Sequence, residues 1–237
     1  MVKENWDRVR ERVSQAARAA GRDPLEIRLI CVTKGVPVER IREAVAAGVR
    51  EIGENRVQEA QEKRVLLGTV PFGDSPLLRW HLIGRLQRNK AKLASQLFDA
   101  IHSVDSLDLV EELEKQLMLR QAQHERGALE VLIQVNISGE ATKGGCRPEE
   151  AEALAEAAMK GKNLRWSGLM TMAPYSEDPE AARPVFRQLR ELRDRLQARF
   201  GVKLGLSMGM SGDFETAVQE GATLVRVGTA IFEEGAR

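Results

Sequence analysis

A regular alternation restricts the fold of this chain more than any other feature. Eight short runs of apolar and β-branched residues are each separated by segments with helical periodicity, and no stretch of altered composition interrupts the series. The strand-like runs fall at residues 28–33, 50–55, 79–84, 98–104, 129–136, 164–170, 204–207 and 223–228. Helical patterns occupy 37–47, 56–66, 87–94, 106–122, 179–199 and 212–220, and residues 68–78, with Gly73 and two prolines, read as a loop. Arg147-Pro148-Glu149-Glu150 reads as a further helix start, with Pro at the first helical position and two acids facing the helix dipole. Ahead of the series, Trp6, Val9, Val13, Ala16, Ala17 and Ala20 line one face of an amphipathic helix that ends at Gly21 and the Asp23-Pro24 turn. This pattern predicts an α/β fold: a single (β/α)8 TIM-type barrel over residues 1–237, with residues 1–22 as an extra N-terminal helix packed on it. An open doubly wound sheet is the alternative, since sequence does not say whether the first strand meets the eighth.

Charge and composition narrow the function classes. Lys plus Arg total 36 and Asp plus Glu 35, so no net field draws the chain to nucleic acid or an anionic membrane. The basic run Arg85, Arg88, Lys90 and Lys92 could dock a partner protein or RNA, but with no interleaved aromatics it reads better as a solvated helix face. No apolar run approaches membrane-spanning length, and Met1 to Arg8 lack the apolar core of an export signal, so a cytoplasmic location is expected. Cys31 and Cys146 lack metal-site spacing and are expected as reduced thiols. His81, His102 and His124 are too scattered to suggest a metal centre.

In barrels of this kind the working face is the rim at the carboxyl ends of the strands. That rim would gather Lys34, Glu54, Asn55, Gly84, Asn136, Met170, Thr171, Ser207, Gly228 and Thr229. Lys34 ends an apolar strand, where burial would free its amine for attack on an aldehyde, or where it would simply reach out to water. The last two connections read Ser207-Met208-Gly209-Met210-Ser211-Gly212-Asp213 and Arg226-Val227-Gly228-Thr229. They offer small residues and backbone N–H groups where such barrels commonly hold phosphate. Ser211 is either a phosphate donor or a plain helix cap. An amine opposite a phosphate cradle suits an aldehyde with a phosphate tail, and pyridoxal 5′-phosphate has that shape. Arg226, inside the eighth strand, would then either donate to the pyridine nitrogen or form an ion pair with Glu54. A permanent cation at the ring nitrogen leaves the ring a weak electron sink.

The chain resembles the pyridoxal phosphate homeostasis protein family across nearly its whole length. The resemblance rests on several motifs in order. They are Val32-Thr33-Lys34 with Pro37, Gly53-Glu54-Asn55, Trp80-His81-Leu82-Ile83-Gly84, His102-Ser103-Val104-Asp105, and Val135-Asn136-Ile137. Gly168-Leu169-Met170, Leu206 to Ser211 with Asp213, and Val225 to Phe232 follow. It implies a monomeric barrel like the N-terminal domain of alanine racemase, with pyridoxal 5′-phosphate in Schiff-base linkage to Lys34. It also implies that Asn55 lines the site, that Arg226 faces the ring nitrogen, and that Ser211, Gly228 and Thr229 hold the phosphate. Gly35 departs from the family's common Ser-Lys-Thr and is expected to loosen the loop after the lysine. Glu233 replaces a common glycine.

Two functions follow from such a site. A racemase of small amino acids would need a second acid/base on the other cofactor face, usually a tyrosine from an added domain, and Tyr175 is the one tyrosine here. A carrier that holds the aldehyde and passes it transiently to apo-enzymes dependent on it needs no such group, and this is the function the resemblance implies. Lys143, in the glycine-rich loop after the fifth strand, is either a second acceptor of the cofactor or a solvated loop lysine.

Overall fold

A computed structural model describes residues 1–68, 78–121 and 128–233 of the chain. Helix α1 (Val2–Ala19) precedes the alternating series. Its strands are β1 (Arg28–Val32), β2 (Glu51–Glu54), β3 (Arg79–Leu82), β4 (Ala100–Val104), β5 (Leu129–Gln134), β6 (Leu164–Met170), β7 (Gly205–Ser207) and β8 (Leu224–Val227). The helices between and after them are α2 (Val38–Ala46), α3 (Val57–Leu67), α4 (Ala91–Leu97), α5 (Leu107–Gln121), α6 (Ala151–Lys160), α7 (Arg183–Phe200), α8 (Phe214–Gln219) and α9 (Thr229–Phe232). All eight strands are parallel, and β1 pairs with both β2 and β8, with Arg28 opposite Leu224 and Cys31 opposite Val227. That closing pair makes the sheet a barrel and excludes the open doubly wound alternative.

The elements lie where the sequence pattern places them, and several are shorter than their apolar runs. Thr33, Ile83 to Gly84 and Val135 to Asn136 were expected in strands but already belong to the connections. The helices expected at 87 and 179 begin as single tight turns, Arg88–Lys90 and Pro179–Ala182, before α4 and α7. The short α9 was not foreseen; four residues carry no periodicity to read. Most of the loop expected at 68–78 lies outside the described residues, as does His124.

Alternation along the strands sorts side chains into two cores. Outward residues such as Cys31, Ile52, Trp80, Ile101, Val131 and Leu206 pack against the helices, while Ile30, Leu132, Met170 and Leu224 form a separate apolar cluster in the lumen. Between β6 and β7 a side chain at Gly168 would put Cβ 2.2 Å from the Gly205 carbonyl, so glycine there lets the strands approach. Helix α1 packs on α8 and α9, where Asn5 Nδ2 donates to the Ile231 carbonyl at 3.1 Å and Arg12 Nε to Glu215 Oε1 at 2.7 Å.

Charges close the floor of the lumen at the amino ends of the strands. Arg28 grips both Glu51 oxygens, at 3.1 and 2.6 Å, and reaches Glu130 at 3.6 Å. The buried Glu130 carboxylate also accepts from Arg79 and, at 2.9 Å, from Arg165. No helix among the described residues is long and apolar enough to cross a membrane.

Candidate functional site

Lys34 stands two residues beyond β1 in a tight turn, closed by the Val36 amide donating to the Thr33 carbonyl at 3.0 Å. The side chain is exposed at the rim and has no hydrogen-bond or ion-pair partner among the described residues. Of the two expectations for Lys34, an amine buried at the strand end or a rim lysine reaching out to water, the structure shows the second, because the turn lifts the amine clear of the sheet. The backbone around it is held from behind. Lys63 Nζ donates to the Thr33 carbonyl at 2.5 Å, to Glu54 Oε1 at 2.8 Å and to Glu59 Oε1 at 2.6 Å, while the Gly35 amide donates to that same Glu59 oxygen at 2.6 Å. Gly35 has φ +67°, a left-handed conformation that favours glycine, so it anchors the turn where loosening was expected.

Lys63 was missed by sequence reasoning, although the sequence carries a signal for it. Val57, Ala60 and Leu67 form the buried stripe of α3, and Lys63 sits within that stripe where a hydrophobe would be expected. Its burial is compensated by Glu54, which accepts from Thr33 Oγ1 at 2.5 Å as well. Burial pushes the Glu54 carboxyl up, and the bonds from Lys63 and Thr33 oppose this. Glu54 thus faces α3, outside the lumen. The suggested Glu54–Arg226 ion pair does not form.

Arg226 points into the lumen and is almost wholly buried. Nη1 donates to Ser207 Oγ at 2.5 Å and Nη2 to the Thr171 carbonyl at 3.0 Å. No carboxylate among the described residues lies within ion-pair distance of it. Burial pulls the guanidinium down to about 10, against a small opposing effect of Asp213, which still leaves it charged at neutral pH.

The last two connections meet across the mouth. The Gly228 amide donates to Ser211 Oγ at 3.3 Å, bringing two of the expected phosphate residues together. Ser211 is not the cap of α8; Asp213 takes that position and accepts from the Met210 amide at 2.6 Å. At Gly228 a Cβ would lie 3.1 Å from the Val32 carbonyl, so glycine lets the end of β8 pass close to β1 where a side chain would crowd it. Thr229 opens α9 and is exposed beside it. Asn55 is half-buried at the end of β2, and its side chain has no hydrogen-bond partner among the described residues. Its backbone presses on the connection after β3, because a Cβ at Gly84 would fall 2.3 Å from the Asn55 carbonyl.

Other rim residues are committed elsewhere. Asn136 organises its own loop through the Glu140 carbonyl at 2.9 Å and the Gly139 amide at 3.1 Å. Lys143 is held by Glu140 at 3.4 Å and reaches the Met172 carbonyl at 3.5 Å. In the basic run, Arg88 lies 3.5 Å from Glu112 and 3.8 Å from Asp108, so acids face it. Both cysteines are buried as free thiols, and burial pushes each upward, Cys146 to about 12. Among the described residues no cluster of three potential metal ligands occurs.

A closed parallel barrel with a free lysine after its first strand and a Ser211–Gly228 contact joining its last two connections defines a class. A family described as alanine racemase, N-terminal domain, matches residues 3–234. Within that class the chain belongs to the family of pyridoxal phosphate homeostasis proteins. The member from Aquifex aeolicus is 45% identical over 232 residues, covering 98% of this chain and 97% of its own. The Pseudomonas aeruginosa member is 44% identical over 240 residues, covering 100% and 96%. Among solved structures, PipY of Synechococcus elongatus with pyridoxal phosphate (PLP) bound superposes with a TM-score of 0.82 at 36% identity, covering 98% of this chain and 100% of that one. Alanine racemase from Clostridium difficile, at 14% identity and a TM-score of 0.72 over 98% of this chain and 56% of its own, shares the fold.

Proposed function

We propose that this protein binds pyridoxal 5′-phosphate at the carboxyl mouth of the barrel, holds it covalently on Lys34, and serves intracellular homeostasis and delivery of the cofactor with little or no catalysis. The observation that carries this reading is the convergence on one rim of a free amine, a buried guanidinium lacking a carboxylate partner, and the Ser211–Gly228 cradle. The donor set fits the group: an amine for the aldehyde, a permanent donor for the ring nitrogen, and a hydroxyl and backbone edge for the phosphate. The homeostasis proteins named above and the PLP-bound PipY support the same assignment. The cofactor supplies an aldehyde that an unprotonated amine captures, conjugated to a ring that can accept electrons. Lys34 makes that capture, Asn55 lines the site, Arg226 orients the ring and keeps its nitrogen unprotonated, and Ser211, Gly228 and Thr229 seat the phosphate. Tyr175 is 93% exposed with no partner among the described residues, so it has no fixed place from which to act as a second acid/base. A monomeric cytoplasmic carrier passing its cargo transiently to apo-enzymes matches this open mouth better than a racemase does.

The test is an absorbance spectrum of the purified protein with PLP, taken before and after borohydride reduction, with peptide mapping of the product. A visible band lost on reduction and a label on Lys34 are expected. A protein that stays colourless and unlabelled with added cofactor sinks the reading.

A further inference from the structure

Four side chains that this reading leaves unused connect the barrel floor to Arg226. Glu51 Oε2 lies 2.5 Å from His81 Nε2, and His81 Nδ1 lies 2.9 Å from His102 Nε2. His102 Nδ1 lies 2.8 Å from Ser207 Oγ, which accepts from Arg226 Nη1 at 2.5 Å. His81, His102 and Ser207 are fully enclosed. The line crosses the lumen beside the apolar cluster of Ile30, Leu132, Met170 and Leu224.

The two ends fix the direction of every bond between them. Burial raises the Glu51 carboxyl, but hydrogen bonds from His81 and Arg28 outweigh this and hold it at about 2, so it only accepts. His81 Nε2 therefore carries a hydrogen. The guanidinium at the other end only donates. Both imidazoles are kept neutral, first by burial. Around His81 stand Arg28 and Arg79 against the single carboxylate of Glu51; around His102 stand Arg226, Arg28, Arg79 and His81. A neutral His81 with its hydrogen on Nε2 accepts at Nδ1, so His102 donates from Nε2. A neutral His102 then accepts at Nδ1, so the Ser207 hydroxyl donates to it and offers its lone pairs to Arg226. A proton added to either ring reverses the His102–Ser207 bond and makes Ser207 accept from two donors.

We propose that Glu51, His81, His102 and Ser207 form a one-way hydrogen-bond chain that orients the Arg226 guanidinium toward the ring nitrogen of PLP, with His81 and His102 as positioning residues. The proposal rests on the cofactor reading above for its ligand, and on the unliganded protein for its polarity. Bonds polarised in one direction reinforce each other in a dry interior, so a break at His102 is felt at Arg226.

Two measurements separate these parts. The chain contains three histidines, so nitrogen NMR of histidine-labelled unliganded protein reports three imidazoles. His81 and His102 are expected as neutral Nε2–H tautomers at neutral pH, and Glu51→Gln, whose carboxamide both donates and accepts, is expected to mix the tautomers. An Nδ1–H tautomer or an imidazolium at either residue in the wild type overturns the chain.

The second measurement compares PLP with its analogue carrying CH in place of the ring nitrogen. His102→Leu is expected to weaken PLP about tenfold and the analogue by less than about twofold. His102→Asn, which keeps an acceptor near Nδ1, is expected to recover most of the loss. Equal losses for both ligands, or none for PLP, overturn the positioning role. Should His102→Leu not fold, Ser207→Ala makes the same comparison. A wild type that binds no PLP would overturn the cofactor reading and the positioning role with it, while the tautomers still decide the chain.

Discussion

The two ends of the barrel carry the same kinds of charge in opposite company. At the floor, Arg28, Arg79 and Arg165 gather on Glu130, and Arg28 also grips Glu51, so each cation has a carboxylate. At the mouth, Lys34 and Arg226 have none within ion-pair range among the described residues. A matched cluster loses stability when its buried acceptor is removed, because the cations around it lose charge-assisted hydrogen bonds that water only partly replaces. An unmatched charge contributes little to the fold and keeps its full attraction for a ligand. The division agrees with the general separation in such barrels between a stabilising amino face and a working carboxyl face.

The sharpest way to break this comparison is to exchange the expected effects. Glu130→Ala is expected to cost about 1–3 kcal/mol of unfolding free energy, because three part-exposed arginines lose their shared buried acceptor while Arg28 keeps Glu51. The folded fraction should still capture PLP. Lys34→Ala is expected to change stability by less than about 0.5 kcal/mol, as for an exposed site without special contacts, and to abolish the borohydride-fixed label. Urea melts and mass mapping of both variants check this. A Lys34 variant that unfolds, or a folded Glu130 variant that fails to capture, would erase the distinction between the ends.

Arg226→Met sharpens the comparison within the buried set. It removes a desolvated cation with no carboxylate partner and leaves Ser207 Oγ and the Thr171 carbonyl without their donor, two opposing effects of similar size. Unfolding free energy is therefore expected to stay within about 2 kcal/mol of wild type, while PLP affinity falls about tenfold or more, the scale of a lost hydrogen bond to a charged group. Paired melts and titrations read both quantities from one preparation.

Between the ends, the two histidines give the barrel an acid-sensitive middle. Their folded values lie below 6.5 because burial disfavours the imidazolium, so the unfolded chain binds more protons under mild acid. Their contribution is complete above about pH 6.5 and is lost as pH falls from there toward the folded values, at up to about 1.4 kcal/mol per pH unit for each histidine. Glu51 acts lower, its contribution being lost between its ordinary value of 4.5 and about 2. Denaturant melts from pH 7.5 to pH 5.5 should therefore show falling stability, and His102→Asn should flatten the slope by about half.

Much of this was legible along the chain, because a lumen lined by alternate residues writes itself into the strands. The barrel, Lys34 after β1, the buried cation in β8, and Ser211 with Gly228 could each be read from local patterns. What was not legible depends on facing and closure. Glu54 was available to Arg226 in sequence, but β2 turns it toward α3, where Lys63 is buried against it. His102 and Ser207 stand 105 residues apart and meet because the barrel closes, so no local spacing announces their bond. For Lys34 the sequence left two placements open, buried at the strand end or reaching out to water, and what decides between them is that β1 stops at Val32 and the turn after it exposes the amine.

That turn carries the smallest expected effect. Gly35 holds φ +67°, and nothing lies within 4 Å of where a Cβ would be built, so Gly35→Ala meets no clash and suffers only the left-handed backbone penalty. The cost is about 1–2 kcal/mol in the folded state, partly offset by the stiffer unfolded chain. If Lys63 and Glu59 grip the turn as firmly as their bonds to the Thr33 carbonyl and the Gly35 amide indicate, the alanine variant keeps the turn and loses only stability. Labelling of Lys34 should then proceed at the wild-type rate. If the rate falls while stability does not, the turn has relaxed to another conformation, and the position of the amine depends on Gly35 itself more than on the buried lysine behind it.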